Sequence, residues 1–298
     1  MSLQTIIDQE AKKQAKAIAA LEAKFGRKVA GLQKVLHDLI RDRFLDSLAR
    51  DEAGYLLYNV SNVNRVNNMV KTWEYFQEKH LRPEILQFGK DLLALTDVST
   101  GYYLALGKEY DLTLKFEKTL EIISKQIGIT LDKTPKIIPG SYLDRLLDAA
   151  QVRDKVINVV LENVAGKAAF TDLKAQLSEV IKGSKEVNGA MEKYMRTYAY
   201  DTVTQVQRSF DKSMADNYKM NCFVYEGGLI KESRPFCIEH LGKTICRAEI
   251  EELDKQRVDP DKAWKGANPD VPFEISLGGY NCRHRAMWIP DEAVKEIK

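Results

Sequence analysis

The chain has 298 residues, 44% of them hydrophobic and 30% charged, with 45 Lys+Arg against 43 Asp+Glu for a net charge of +2. That length holds one or two domains with a sizeable core, and the composition is that of a globular protein rather than a disordered one. No run of about 18 apolar residues occurs, so no membrane span is expected, and the near-balanced charge argues against nucleic-acid binding as the main task.

The opening segment, MSLQTIIDQEAKKQAKAIAA, carries charges too early for a secretion signal. The chain is therefore expected to fold in a reducing cytoplasm, where clustered cysteines are metal ligands or core residues more often than disulfides. From here to about residue 218 the pattern is helical. Apolar residues recur at three- and four-residue steps through Ile7, Ala11, Ile18, Leu21 and Phe25, then through Val63, Val66, Val70, Trp73 and Phe76. The stripe returns at Leu112, Phe116, Leu120, Ile123 and Ile127, and again at Leu143, Leu147, Ala150, Val156 and Val160. Gly26, Arg82–Pro83, Gly101, Gly107 and the Thr134–Gly140 stretch TPKIIPG punctuate it. Thr171 is placed to cap a helix that runs to about Ile181 and ends at Gly183. A last, long helix from about Glu186 to Lys219 keeps its stripe through Val187, Met191, Tyr194, Tyr198, Val206, Phe210 and Met214. Such stripes must be covered, either by one another or by another protein.

After Asn221 the texture changes. CFVYEGGLI places β-formers on both sides of Gly227–Gly228 and predicts a hairpin there. A short helix opened by Pro235, a second from about Arg247 to Lys255, a polar loop with Trp264 and a terminal strand NCRHRAMWI follow. The predicted fold class is mainly α: an extended helical body, then a small α+β C-terminal module. The division is 1–184 for the body and 185–298 for a connecting helix plus the module.

The chain has four Cys and four His, and five of these eight lie between Cys237 and His284. Cys237 and His240 share a helix face if three apart on a helix, and Cys282 and His284 share a strand face if two apart on a strand. Four donors then converge as a tetrahedral zinc site or as a core clasp, with Cys246 as a substitute ligand. The Cys-x-His spacing and the lack of a Cys-x-x-Cys pair favour the clasp, because cysteine is among the most buried residues whatever its chemistry. No cofactor is expected, a structural zinc ion apart. Gly278–Gly279 reads as a tight turn before the strand. No phosphate-binding loop, dinucleotide fingerprint, zinc-protease helix or nucleophile elbow occurs, so no catalytic residues are assigned.

Taken together, RTYAYDTVTQVQRSF, FVYEGGLIKESRPFCIEHLGKTICRAEIEEL, Trp264 and GGYNCRHRAMWIP resemble the C-terminal module of phage minor head proteins, the Mu protein F-like head-morphogenesis family. The resemblance covers residues 190–290. It rests on Arg196–Thr197, Tyr225–Gly227, Ser233–Arg234–Cys237, Glu249–Leu253 and Asn281–Cys282–Arg283–His284. It implies a non-enzymatic virion protein, a minor capsid component acting in head morphogenesis and capsid assembly at or near the portal. Its implied partners are the portal and the major capsid protein, with packaged DNA near it by proximity only and no membrane. Its implied location is the inner capsid, after assembly in the host cytoplasm, and oligomers in the virion are compatible with it. Arg234, Asn281 and Arg283 are then motif residues. The alternative is a metal-dependent nuclease or processing enzyme using the Cys/His cluster, with Arg234, Arg283 and Arg285 holding phosphate. A third reading is a host-encoded helical adaptor.

Overall fold

A computed structural model describes residues 2–110, 116–184 and 186–297, without the side chains of residues 196–198, 200 and 201. Leu112, Tyr198 and the Arg196–Thr197 pair, as side chains, lie outside the described residues. In chain order the helices are α1 (Leu3–Arg43), α2 (Val60–Phe76), α3 (Arg82–Glu109), α4 (Glu117–Ile127), α5 (Tyr142–Asp148), α6 (Ala150–Ala165), α7 (Phe170–Lys182) and α8 (Ala190–Tyr218). The end of the chain adds β1 (Cys222–Glu226), α9 (Pro235–His240), β2 (Thr244–Cys246), α10 (Arg247–Val258), α11 (Phe273–Ser276) and β3 (Arg285–Ile289). With 68% helix and one three-stranded antiparallel sheet, the fold is mainly α with a small α+β module at the C-terminal end.

The predicted stripes are buried where the period places them. Ile7, Ala11, Ile18, Leu21 and Phe25 are all core, as are Val66, Trp73 and Phe76, whereas Val70 is exposed. Gly26, Gly101 and Gly107 do not interrupt their helices, because a glycine costs only about 1 kcal/mol in a long helix whose apolar face is buried. Pro83 does leave a mark: a π turn at Gln77–Leu81 precedes it, widening the ladder where its ring would crowd the carbonyl four residues back. Asn59 caps α2 through its side chain, and Ala169 rather than Thr171 precedes the first turn of α7. α8 starts at Ala190, later than the stripe suggests, because Gly183 and Asn188 bridge and Gly189 lies against the Ile181 carbonyl.

By compactness the chain divides into two units, each discontinuous in sequence, where the sequence reading divides it once at 184/185. The first unit is Met1–Glu22, Lys90–Thr134 and Ala199–Lys298. The second is Ala23–Gly89 and Pro135–Tyr198. Within the second, Phe25 stacks on Phe88 at 4.0 Å. Gln33 Nε2 donates to the Ile181 carbonyl, and the buried Asn62 amide fixes the loop before α2 through Ala49 and Leu57.

The first unit contains the whole sheet. Its order is β2-β1-β3, so β1 is central and pairs Cys222–Glu226 with Ile289–Arg285 on one side and Cys222–Val224 with Cys246–Thr244 on the other. The hairpin expected across Gly227–Gly228 does not form: Leu229 and Ile230 are exposed loop residues, and β1 finds its first partner 18 residues further on. All five residues of β3 are buried. Tyr102 of α3 donates its hydroxyl to the Trp288 carbonyl at 2.7 Å, tying the sheet to the helices of the same unit.

Candidate functional site

α8 supplies the platform for the site. Val203, Val206, Phe210 and Met214 are buried, but so are Thr204, Gln207, Arg208 and Asp211. Arg208 lies beneath the loop that leads into β3. Its guanidinium makes five hydrogen bonds, to the carbonyls of His284 (3.1 and 2.7 Å), Ile275 (2.9 Å), Ser276 (3.3 Å) and Cys282 (2.6 Å). Beside it Arg285 is buried with its Nε unpartnered, and burial together with Arg208 lowers it to about 10. Asp211 lies in the same interior. Burial raises its carboxyl to about 7, against the pull of Ser99, Tyr103 and the two arginines, and neither oxygen reaches hydrogen-bond geometry.

On this platform three of the four predicted ligands converge. Cys237, Cys282 and His284 are each at most 4% exposed, and their donor atoms lie within 4.8 Å of one another. Cys282 Sγ is 3.6 Å from His284 Nδ1, and His284 Nε2 has no partner among the described residues. Cys282 and His284 precede β3 rather than lying on it; Asn281 adopts φ +56 and Cys282 N bonds back to Gly279 O, so a turn and not a strand face brings them together. Tyr225 of β1, which the residue pattern did not mark as a site residue, places its hydroxyl 3.4 Å from Cys237 Sγ and 3.7 Å from Cys282 Sγ. Its ring stacks on His284 at 4.9 Å. Burial holds the Tyr225 hydroxyl well above its usual range. A hydrogen bond from Cys237, with help from Arg208 and His284, holds Cys282 well below the thiol range, and the same bond with burial raises Cys237.

His240 does not join them. It follows Cys237 by three residues on α9, yet its Nδ1 pairs with the Phe236 carbonyl at 2.7 Å and its ring stacks on Phe236 at 4.0 Å. Sequence spacing fixes the direction of a Cα–Cβ bond but not the rotamer that turns the ring away. Cys246 is no substitute ligand either. It faces Cys222 across the β1–β2 register and is joined to it as a disulfide. The expectation that the clustered cysteines are ligands or core residues more often than disulfides is corrected at Cys246.

Gly278 stands directly over the sulfurs. A Cβ there would fall 2.5 Å from Cys237 Sγ, 3.1 Å from Cys282 Sγ and 3.1 Å from the Tyr225 hydroxyl. Gly279, at φ +96, passes so close to the Gly266 carbonyl that a side chain has no room. The pair therefore does more than turn the chain: it leaves the space in which the cluster sits. Arg234 holds this loop from outside, donating to the Gly278 carbonyl at 3.0 Å and to the Tyr280 carbonyl, while Trp264 Nε1 donates to Gly278 at 3.2 Å. Arg234 is thus engaged with backbone carbonyls, not with the phosphate that the enzyme alternative assigns to it. Arg283 is exposed near Glu22, and a cavity of about 220 Å³ beside the cluster is lined by Arg234, Cys237, Asn281, Cys282, Arg283 and His284. His37 pairs with Asp38 and His80 packs against Tyr75 and Phe76, both in the helical part, as ordinary residues. Comparison with protein-family models, with curated proteins and with solved structures finds no match to the chain.

Proposed function

We propose that the chain is a phage virion structural protein, a minor head protein that acts in capsid assembly at or near the portal and has no enzymatic activity. One observation carries the reading. The residues on which the resemblance rests are engaged in holding a closed module: Arg234 and Trp264 clamp the 278–280 loop, Asn281 makes the left-handed turn, and Cys237, Cys282 and His284 are buried under Gly278. A signature spent on internal geometry supports a structural rather than a catalytic part for these residues, since a catalytic signature leaves a nucleophile or base facing its substrate.

The chemistry supports the non-enzymatic half. Among the described residues the one group of potential metal ligands contains no carboxylate, and Arg234, which lines the adjoining cavity, donates to carbonyls. No helix among the described residues is long and apolar enough to cross a membrane. Portal and major capsid protein are the proposed partners, the virion interior the proposed location, and packaged DNA a neighbour by proximity only. The cavity beside the cluster is the one feature that favours the processing-enzyme alternative. Pull-down from infected cells tests the choice: recovery of portal or capsid protein supports assembly, whereas free monomer absent from particles counts against it. Metal-dependent cutting of DNA or RNA abolished by His284→Ala would replace it with the nuclease reading.

A further inference from the structure

The cluster at the centre of the module has the dimensions of a metal site. Zinc bound by sulfur at about 2.3 Å and by imidazole nitrogen at about 2.0–2.1 Å, in a tetrahedron, places the sulfur and nitrogen about 3.6 Å apart. Cys282 Sγ and His284 Nδ1 are 3.6 Å apart, and Cys237 Sγ completes a group spanning no more than 4.8 Å. The Tyr225 hydroxyl lies 3.4 and 3.7 Å from the two sulfurs, an oxygen beside the same group. A buried imidazole whose only polar contact among the described residues is a sulfur is poorly satisfied as a core residue.

The surroundings suit an ion rather than a thiol pair left to itself. Gly278 leaves free the space that a Cβ would take from both sulfurs. Arg208 fixes the carbonyls of Cys282 and His284, so both ligands on the loop are oriented from behind. The adjoining cavity, which the three donors help to line, opens a path for entry.

We propose that Cys237, Cys282 and His284 bind one divalent ion of the zinc class, with the Tyr225 hydroxyl as the oxygen donor at the fourth corner. Soft thiolates with one imidazole select zinc over magnesium or calcium, which take oxygen ligands. The ion joins β1, α9 and the loop before β3, three segments far apart in the chain, and its role is structural. His240 and the Cys222–Cys246 pair take no part. The inference does not rest on the assembly reading, since the ion is assigned from distances within the module and its measurement needs no phage particle.

The test uses the full chain, purified under reducing conditions without a histidine tag. Metal analysis should find one equivalent of zinc. Replacing zinc by cobalt(II) should give the thiolate-to-cobalt charge-transfer band and the intense d–d bands of a tetrahedral sulfur-containing site. Cys282→Ser and Cys237→Ser should lower zinc affinity by more than about 100-fold, beyond what the loss of an outer partner costs. His240→Gln and Cys246→Ser should keep the full equivalent, which guards against misreading a variant that fails to fold. Tyr225→Phe should keep the stoichiometry and shift the cobalt d–d bands. Absence of zinc in the parent, together with no cobalt spectrum after reconstitution, would overturn the proposal. So would zinc retained undiminished in Cys282→Ser, or an octahedral cobalt spectrum. Loss of zinc in His240→Gln with His240→Gln still folded by circular dichroism would overturn the ligand set.

Discussion

Arg208→Met removes the guanidinium that holds the loop before β3 and leaves a side chain of similar reach. The five bonds go to four carbonyls, those of Cys282, His284, Ile275 and Ser276, and Arg208 is 3% exposed. A hydrogen bond from a charged donor contributes about 1.5–3 kcal/mol net, and five that share one guanidinium do not add in full. The carbonyls left behind are buried, so the cost of leaving them unpaired outweighs the relief from removing a buried cation. The expected loss is about 3–5 kcal/mol, from buried carbonyls left unpaired at about 1–3 kcal/mol each without full additivity. Urea unfolding of the full chain carrying Trp73→Phe, followed at Trp264 and Trp288 by fluorescence and at the helices by circular dichroism, reads it out. The module should unfold at lower urea than the rest, and the two probes should separate. Arg208→Lys should recover only part of the loss, because a point charge cannot fork between carbonyls. A midpoint shift equivalent to less than about 1 kcal/mol for Arg208→Met would refute the claim that this residue organises the loop.

Gly278→Ala should be destabilising, since its Cβ meets Cys237 Sγ at 2.5 Å; a loss of about 1–3 kcal/mol in thermal unfolding is expected, and a neutral result would mean the loop can shift away. Asp211 titrates near 7 in the folded protein against an ordinary value of 3.8, so the folded state holds the extra proton between the two. Its contribution is complete below about pH 4 and is lost as pH rises through 7, a few kcal/mol in all, and Asp211→Asn should flatten that part of the stability–pH profile. Tyr102→Phe should cost about 1–2 kcal/mol through the unpaired Trp288 carbonyl, measured by the same urea titration. Purified protein incubated with DNA or RNA and magnesium, manganese or zinc should cut neither, as gel assays would show.

Period-3.6 patterning made the helical segments legible because burial follows directly from the face each residue occupies. Ile7 through Phe25 are buried as expected, and the end module follows Pro235, Arg247 and Trp264 closely. What failed was whatever depends on partners distant in sequence. β-Formers flanking Gly227–Gly228 suggested a local hairpin, yet β1 pairs with strands starting at Thr244 and Arg285. The Cys222–Cys246 bond is visible only once that register is known. Cys282 and His284 were rightly placed together for a reason that differs in detail, a turn rather than a strand face. His240 was placed with them because spacing cannot fix a rotamer. Nothing in the residue pattern marks Arg208 and Asp211 as buried, because charges on a long helix normally face solvent. The available signal was their position, three residues apart beside the stripe that includes Val206, Phe210 and Met214.

The central claim is that this chain is built into a capsid. Protein mass spectrometry and cryo-electron microscopy of purified particles from the producing cells test it most directly. The account predicts that the chain is present at low copy inside the head, with density at the portal vertex that fits α8 and the sheet module. Particles that assemble, package DNA and contain none of this chain would contradict it.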